Sequence, residues 1–309
     1  MRSFTLTLVT VAFVIVLSFI FFSAPVSAQG GTASEAPVLW ERYRAANRKE
    51  SVLLPKIPTV VHELSYCSDV QIDQYYAYAN DAVYEFSVAY RGEPRNYLNC
   101  TPKHFGQAMF DERLETLRDP KQGNVESNVS ANGAAGFKFS NSKISRWLFL
   151  DIKGHRWIEL AIHHRPGAAI EDAKFADSLD LSGGQGKDIG EGSAETLGDT
   201  GVDVTILLPP VKPQDPKPIA GDPFWIIAKP KAPYTEQARK DNVQGSVTLK
   251  VVLLASGGIG SVTVVGKPLD DGLTDNAIAA ARRVVFLPKK VNGVPVSTAI
   301  TFQYGFNIY

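Results

Sequence analysis

The chain has 309 residues, with 32 Lys and Arg against 32 Asp and Glu and 44% hydrophobic residues. A formal net charge of zero excludes a strongly basic nucleic-acid binder, and the apolar content excludes a disordered acidic tail. At roughly 150 residues per domain, the length allows about two globular units.

Residues 1–28 are set apart from the fold. Arg2 is the only charge ahead of an apolar run from Phe4 to Phe22, and Pro25 precedes Val26-Ser27-Ala28, a small-x-small ending of the kind signal peptidase cuts. Cleavage after Ala28 is the first reading. The run exceeds the roughly 7 to 15 residues of a signal core and approaches the roughly 20 that span a bilayer, so an uncleaved anchor over residues 4–22 stays open. Both readings export the rest of the chain. In an oxidising compartment, Cys67 and Cys100 are better explained by one intradomain disulfide than by a metal site, with two buried thiols as the alternative. No CxxC or Cys/His spacing points to a metal.

Residues 31–181 read as an α+β domain of unknown ligand. Thr101 as N-cap and Pro102 in the first turn open a helix that brings Phe105, Met109, Leu114 and Leu117 near one face before Pro120. Tyr84, Phe86, Val88 and Tyr90 alternate with Glu85, Ser87 and Ala89 as a strand, and residues 147–152 and 157–163 about Gly154 read as a hairpin. A short helix from Ile170 to Leu179 closes the unit. This order, and Ala173-Lys174-Phe175-Ala176-Asp177-Ser178-Leu179 in particular, resembles the PsbP-like α/β sandwich of exported proteins. His155, His163 and His164 read as structural, because adjacent residues on a strand point to opposite faces. The tyrosines from Tyr75 to Tyr97 read as core. No serine elbow, HExxH or acid pair in a recognisable setting appears, so neither an enzyme nor a cofactor is expected.

A connector over residues 182–223 follows. From Ala176 to Pro223 there are 3 basic and 9 acidic residues, and from Phe224 to Tyr309 there are 10 basic and 5 acidic. Its Gly/Ser part reads as flexible and its proline part as extended, so the flanking domains are expected to fold independently. Gly186-Lys187 is not a P-loop, since Leu181 stands at the first glycine position and Asp188 where Ser or Thr belongs.

In residues 224–309, Thr235 is a candidate N-cap for a short helix ending before Gly245. Val247, Leu249, Val251 and Leu253 line one face of a strand, Ala255-Ser256-Gly257-Gly258 turns it, and Ile259 to Val265 returns. A helix capped by Thr274 or by the Asp270-Asp271-Gly272 turn carries Leu273, Ala277, Ala280, Ala281 and Val284, and Phe286-Leu287-Pro288 ends it. After a loop from Lys289 to Pro295, Ile300, Phe302, Tyr304, Phe306 and Ile308 alternate with polar and small residues, which commits them to a core.

Pro233-Tyr234-x-x-x-Ala238-Arg239, Gln244-Gly245-Ser246-Val247, Gly258-x-Gly260, Leu273-x-x-x-Ala277, Ala281-x-x-x-x-Phe286-x-Pro288 and Asn292-Gly293-x-Pro295-Val296 resemble, in order, the TonB C-terminal domain family. The resemblance implies a helix, strand, strand, helix, strand module in the Gram-negative periplasm. Such modules engage the TonB box of outer-membrane receptors by adding the receptor's extended peptide to a sheet edge. It implies a role in energy-dependent transport, and here a peptide-binding edge at Ser297, Thr298, Ala299, Thr301, Gln303 and Gly305. Two departures, Thr235 for a proline and Val265-Gly266-Lys267-Pro268 for Ser-Ser-Gly, leave the fold undisturbed. A third bears on function: residues 4–22 contain no His of the kind that accompanies coupling to the ExbB and ExbD motor. The motor is a partner only if the N-terminal helix is retained. The alternative is a soluble exported protein that uses the module for peptide or envelope-polymer binding without a motor.

Overall fold

The computed structural model describes residues 38–308 apart from 47, 65–68, 93–105, 118–123, 132–133, 152–155, 190–220 and 222. The export segment, Cys67, Cys100, Thr101, Pro102, Phe105, His155 and most of the connector lie outside the described residues.

Consecutive segments rich in Tyr, Val, Ile and Phe, joined by short turns, pair antiparallel with their neighbours. A hairpin of β1 (Glu41–Arg44) and β2 (Ser51–Leu54) precedes β3 (Thr59–Leu64), β4 (Val70–Ala79) and β5 (Ala82–Arg91). Asn80 and Asp81, with φ of 48° and 60°, form the two-residue turn between β4 and β5. After α1 (Gln107–Leu117) come β6 (Asn124–Ala131), β7 (Ala134–Ser140), β8 (Ile144–Asp151) and β9 (Arg156–His164). These make one seven-stranded sheet in the order β3-β4-β5-β9-β8-β7-β6. The expected strand at Tyr84 to Tyr90 and the expected hairpin about Gly154 are β5 and the β8/β9 pair. The chain then forms α2 (Asp172–Ala176), shorter than the expected Ile170 to Leu179 helix, and β10 (Lys187–Asp188), which runs parallel to β1.

One face of the sheet packs Tyr75, Tyr84, Phe86 and Leu160 beneath the β1/β2 hairpin and Phe175 of α2. Ile189, 2% exposed, belongs to this core. The stretch from Ser182 to Ile189, read as connector from its glycines, is therefore part of the first folded unit, because β10 needs only backbone bonds and one apolar anchor.

The alternation in β5 suggests one solvated face, yet Glu85, Ser87 and Ala89 are buried as deeply as their neighbours. The opposite face of the sheet is covered twice. Phe110, Leu114 and Leu117 of α1 pack on Ala89, Leu148 and Trp157 at one end. At the other end Val61, Tyr76 and Val83 meet Val285 and Leu287 from the C-terminal part of the chain.

That C-terminal part contains β11 (Trp225–Ala228), α3 (Glu236–Lys240), β12 (Gly245–Leu253), β13 (Ile259–Val265), α4 (Leu273–Arg282), β14 (Val285–Leu287), β15 (Lys289–Val291), β16 (Val294–Val296) and β17 (Thr298–Phe306). The described residues are thus α+β. Thr235 caps α3, its hydroxyl accepting from the Ala238 amide at 3.1 Å. Gly272, at φ 78°, stands at the N-cap of α4, while the Thr274 hydroxyl is engaged with the Leu269 backbone. Val285–Leu287 does more than end the helix, since it pairs antiparallel with β11. The expected loop from Lys289 to Pro295 is a small hairpin, β15/β16, turned by Asn292 and Gly293 at φ 52° and 78°.

Val38–Tyr309 forms one compact unit. Its two larger cores meet at a polar and apolar joint: Arg165, 6% exposed, donates to the carbonyls of Pro223 and Pro288, each at 2.6 Å. Its guanidinium lies 5.1 Å from the Trp225 ring centre, and Lys290 pairs with Asp81 at the β4/β5 turn. Gly257, at φ 81°, lets the β12/β13 turn approach Tyr78, where a Cβ would overlap the ring.

Candidate functional site

β17 shows the period-two pattern in full: Phe302, Tyr304 and Phe306 are buried, and Thr301, Gln303 and Gly305 are exposed. The strand pairs with β12 from Gly245 opposite Phe306 to Leu253 opposite Thr298, and it is the end strand of the order β13-β12-β17. Backbone direction follows from two bonds. Leu254 N donates to Gly258 O at 2.9 Å, which turns the even-numbered backbone of β12 toward β13 and the odd-numbered backbone toward β17. Through the register, Ile300, Phe302, Tyr304 and Phe306 make the ladder with β12. Ala299, Thr301, Gln303 and Gly305 turn their N–H and C=O groups to the open side. Lys229 Nζ donates to Gln303 O at 3.0 Å, a bond from outside the sheet that agrees with this assignment.

Four of the six residues singled out from the sequence therefore turn their backbone away from β12, with the Gln303 carbonyl held by Lys229. The other two are placed differently. Ser297 precedes the strand, and its hydroxyl accepts from the Ala255 amide at 3.1 Å. Thr298 stands opposite Leu253, on the paired side. Ile308, expected in the core, lies beyond the strand and is 41% exposed, because the ladder stops at Phe306 and no partner strand continues to cover it. On the exposed face Gln303 Nε2 donates to Ser246 Oγ at 2.8 Å.

Three side chains stand beside this edge, of which Tyr304 was read from the sequence as core, while Lys229 and Arg283 were not singled out. Tyr304 is 5% exposed, and burial pushes its hydroxyl up to about 12, opposed by the nearby charge of Arg283. Lys229 Nζ sits 4.7 Å from the Tyr304 ring centre and 5.3 Å from that of Phe302. Arg283 closes α4 as its C-cap. The pairing of Ala228 with Val285 is what brings Lys229 and Arg283 to one end of the module. Strands of three and four residues leave no periodic signal from which that pairing is readable.

Elsewhere among the described residues the titratable groups of the large sheet pair with one another. His163 Nε2 lies 2.7 Å from Glu85 Oε2, and Ser87 donates to the same carboxylate at 2.8 Å. Glu159 is held by Arg146 at 2.6 Å and by Arg113 at 3.0 Å. His164, the adjacent histidine, is 8% exposed and bonds locally to the Arg165 carbonyl at 3.0 Å. Among the described residues no three His, Cys, Asp or Glu side chains gather as a metal site, and no helix is long and apolar enough to cross a membrane.

No curated protein matches the chain. Residues 230–308, which contain the helix, strand, strand, helix, strand order ending in β17, match the family described as Gram-negative bacterial TonB protein C-terminal.

Proposed function

We propose that this is a periplasmic TonB-like protein that binds the TonB-box peptides of outer-membrane receptors by adding them as a fourth strand beside β17. One observation supports this most directly: four alternate residues, Ala299, Thr301, Gln303 and Gly305, turn their backbone to the side of β17 that no strand covers, where Lys229 holds the Gln303 carbonyl. An extended peptide satisfies such an edge with little demand on its own sequence. The family is a protein-interaction domain, which favours binding over catalysis. Replacing Gln303 with Pro deletes an outward amide and obstructs pairing, whereas Gln303→Ala leaves the backbone intact. With both variants folded by circular dichroism, titration of a receptor TonB-box peptide should show a loss of about tenfold or more for Pro and little change for Ala. A folded Pro variant that binds like the parent removes this edge from consideration.

The same reading places the chain in the Gram-negative envelope, released at Ala28 or anchored by residues 4–22. Coupling to an ExbB/ExbD-type motor for energy-dependent transport belongs to the anchored form. Fractionation with N-terminal sequencing of the mature protein separates the two forms.

A further inference from the structure

We infer that the first folded unit carries a binding cleft for a small apolar molecule with a cationic group, between the β6 end of the large sheet and the end of α2, where Asp177 receives the cation. This site shares no residue with the β17 edge and stands or falls without it.

Beneath the β1/β2 hairpin this core is filled by large rings, but toward the edge strand its side chains become small. Val129 of β6 stands opposite Gly136 and Ala131 opposite Ala134, and none of them reaches far above the sheet. Gly136 in turn stands opposite Phe149, whose ring leans over it so closely that a Cβ there would lie 2.5 Å from a ring carbon. Trp147, Phe149 and Leu179 are buried, at 5%, 2% and 2% exposure, whereas Val129, Ala131 and Ala176 are only half-buried against the same core. Interiors pack without such gaps, yet here the small residues leave a cleft of about 400 Å³. That volume suits a small molecule, and the walls are aromatic and aliphatic.

Charge decides which molecule. Asp177 and Ser130 are the exposed residues at the mouth of the cleft. Lys138, 5.5 Å from the Trp147 ring centre, is answered by Asp172 at 3.8 Å, and Lys174 lies over the Trp40 ring at 4.7 Å. The Asp177 amide bonds to the Ala173 carbonyl, but its carboxylate has no partner among the described residues. A cation on an apolar body seated against Trp147 and Phe149 donates to that carboxylate in a charge-assisted bond. A neutral guest forgoes this bond, and an anionic one is repelled. Because Asp177 is exposed, solvent screens the pair and the preference is modest.

The probe is 2-(2-naphthyl)ethylamine, compared with 2-(2-naphthyl)ethanol and 2-naphthylacetate, each titrated against the full chain labelled with 5-fluorotryptophan. The chain has four tryptophans, and the fluorine signal of Trp147 is assigned by its loss in Trp147→Phe. The amine should move the Trp147 signal and leave those of Trp157 and Trp225 in place. It should bind about threefold to fivefold tighter than the alcohol, with the acetate weakest. Asp177→Asn should bring the amine to the affinity of the alcohol and leave the alcohol within about twofold of its parent value. Ala131→Leu fills the cleft, so it should weaken all three probes by about tenfold or more while raising the melting temperature. Ala176→Leu fills the same space from α2 and serves where Ala131→Leu does not fold. A Trp147 signal that no probe moves, or one that Ala131→Leu and Ala176→Leu leave equally responsive, overturns the cleft. Equal affinity of amine and alcohol, or an Asp177→Asn chain that still prefers the amine, overturns the cation site.

Discussion

Glu85 shows how a buried carboxylate is kept charged in the first sheet. Burial pushes its carboxyl up, but the hydrogen bond and charge of His163, the charge of Arg146 and the Ser87 hydroxyl outweigh it and hold Glu85 at about 2, against an ordinary 4.5. A depressed native value means that the unfolded chain binds the proton first. The stability from this group is complete above pH 4.5 and is lost as the pH falls toward about 2. Glu85→Gln should therefore flatten the stability profile between those limits in urea denaturation. At neutral pH it should cost about 3 kcal/mol, because Arg146 loses a buried counter-charge. A profile as steep as the parent's between pH 4.5 and 2 would assign the acid sensitivity to another group.

At the scale of the element, β17 predicts opposite outcomes for adjacent residues. Phe302, 8% exposed, fills the core under α4, so Phe302→Ala should destabilise the chain by about 3 to 5 kcal/mol. Thr301→Ala, on the exposed face, should stay within about 0.5 kcal/mol in the same thermal or urea unfolding measurement. Both faces of β17 were legible because period-two alternation over nine residues is a strong local signal. β12 and the Thr235 cap were legible too, whereas β5 was legible as a strand but not as one buried on both faces. The β11/β14 pairing was not legible, since Trp225–Ala228 and Val285–Leu287 are too short for periodicity and lie far apart in sequence. With it went Lys229, Arg283 and the joint at Arg165, which explains why the backbone of the candidate site was readable and its side-chain surroundings were not. Ile308 was misplaced for a related reason: alternation continues in sequence beyond the point where a partner strand exists.

On the scale of the whole molecule, the C-terminal module is docked against the seven-stranded sheet through Val285, Leu287, Lys290 and the two carbonyls bound by Arg165. A chain cut at a protease site engineered between residues 196 and 206 should therefore yield two pieces that co-elute. Arg165→Ala leaves the Pro223 and Pro288 carbonyls without that donor, at a cost of about 1 to 3 kcal/mol, and should promote their separation. Pieces of the parent chain that separate at once on size exclusion would show that the joint carries no affinity of its own. Docking uses β11 and β14 and leaves the outer side of β17 free, so the module can be held and still receive a strand. Amide hydrogen exchange of β17, read residue by residue with and without a receptor TonB-box peptide, tests that claim most directly. The account predicts that Thr301, Gln303 and Gly305 gain protection on binding, while Phe302 and Tyr304, already in the ladder with β12, change little. Protection gained along β13 with β17 unchanged would contradict it.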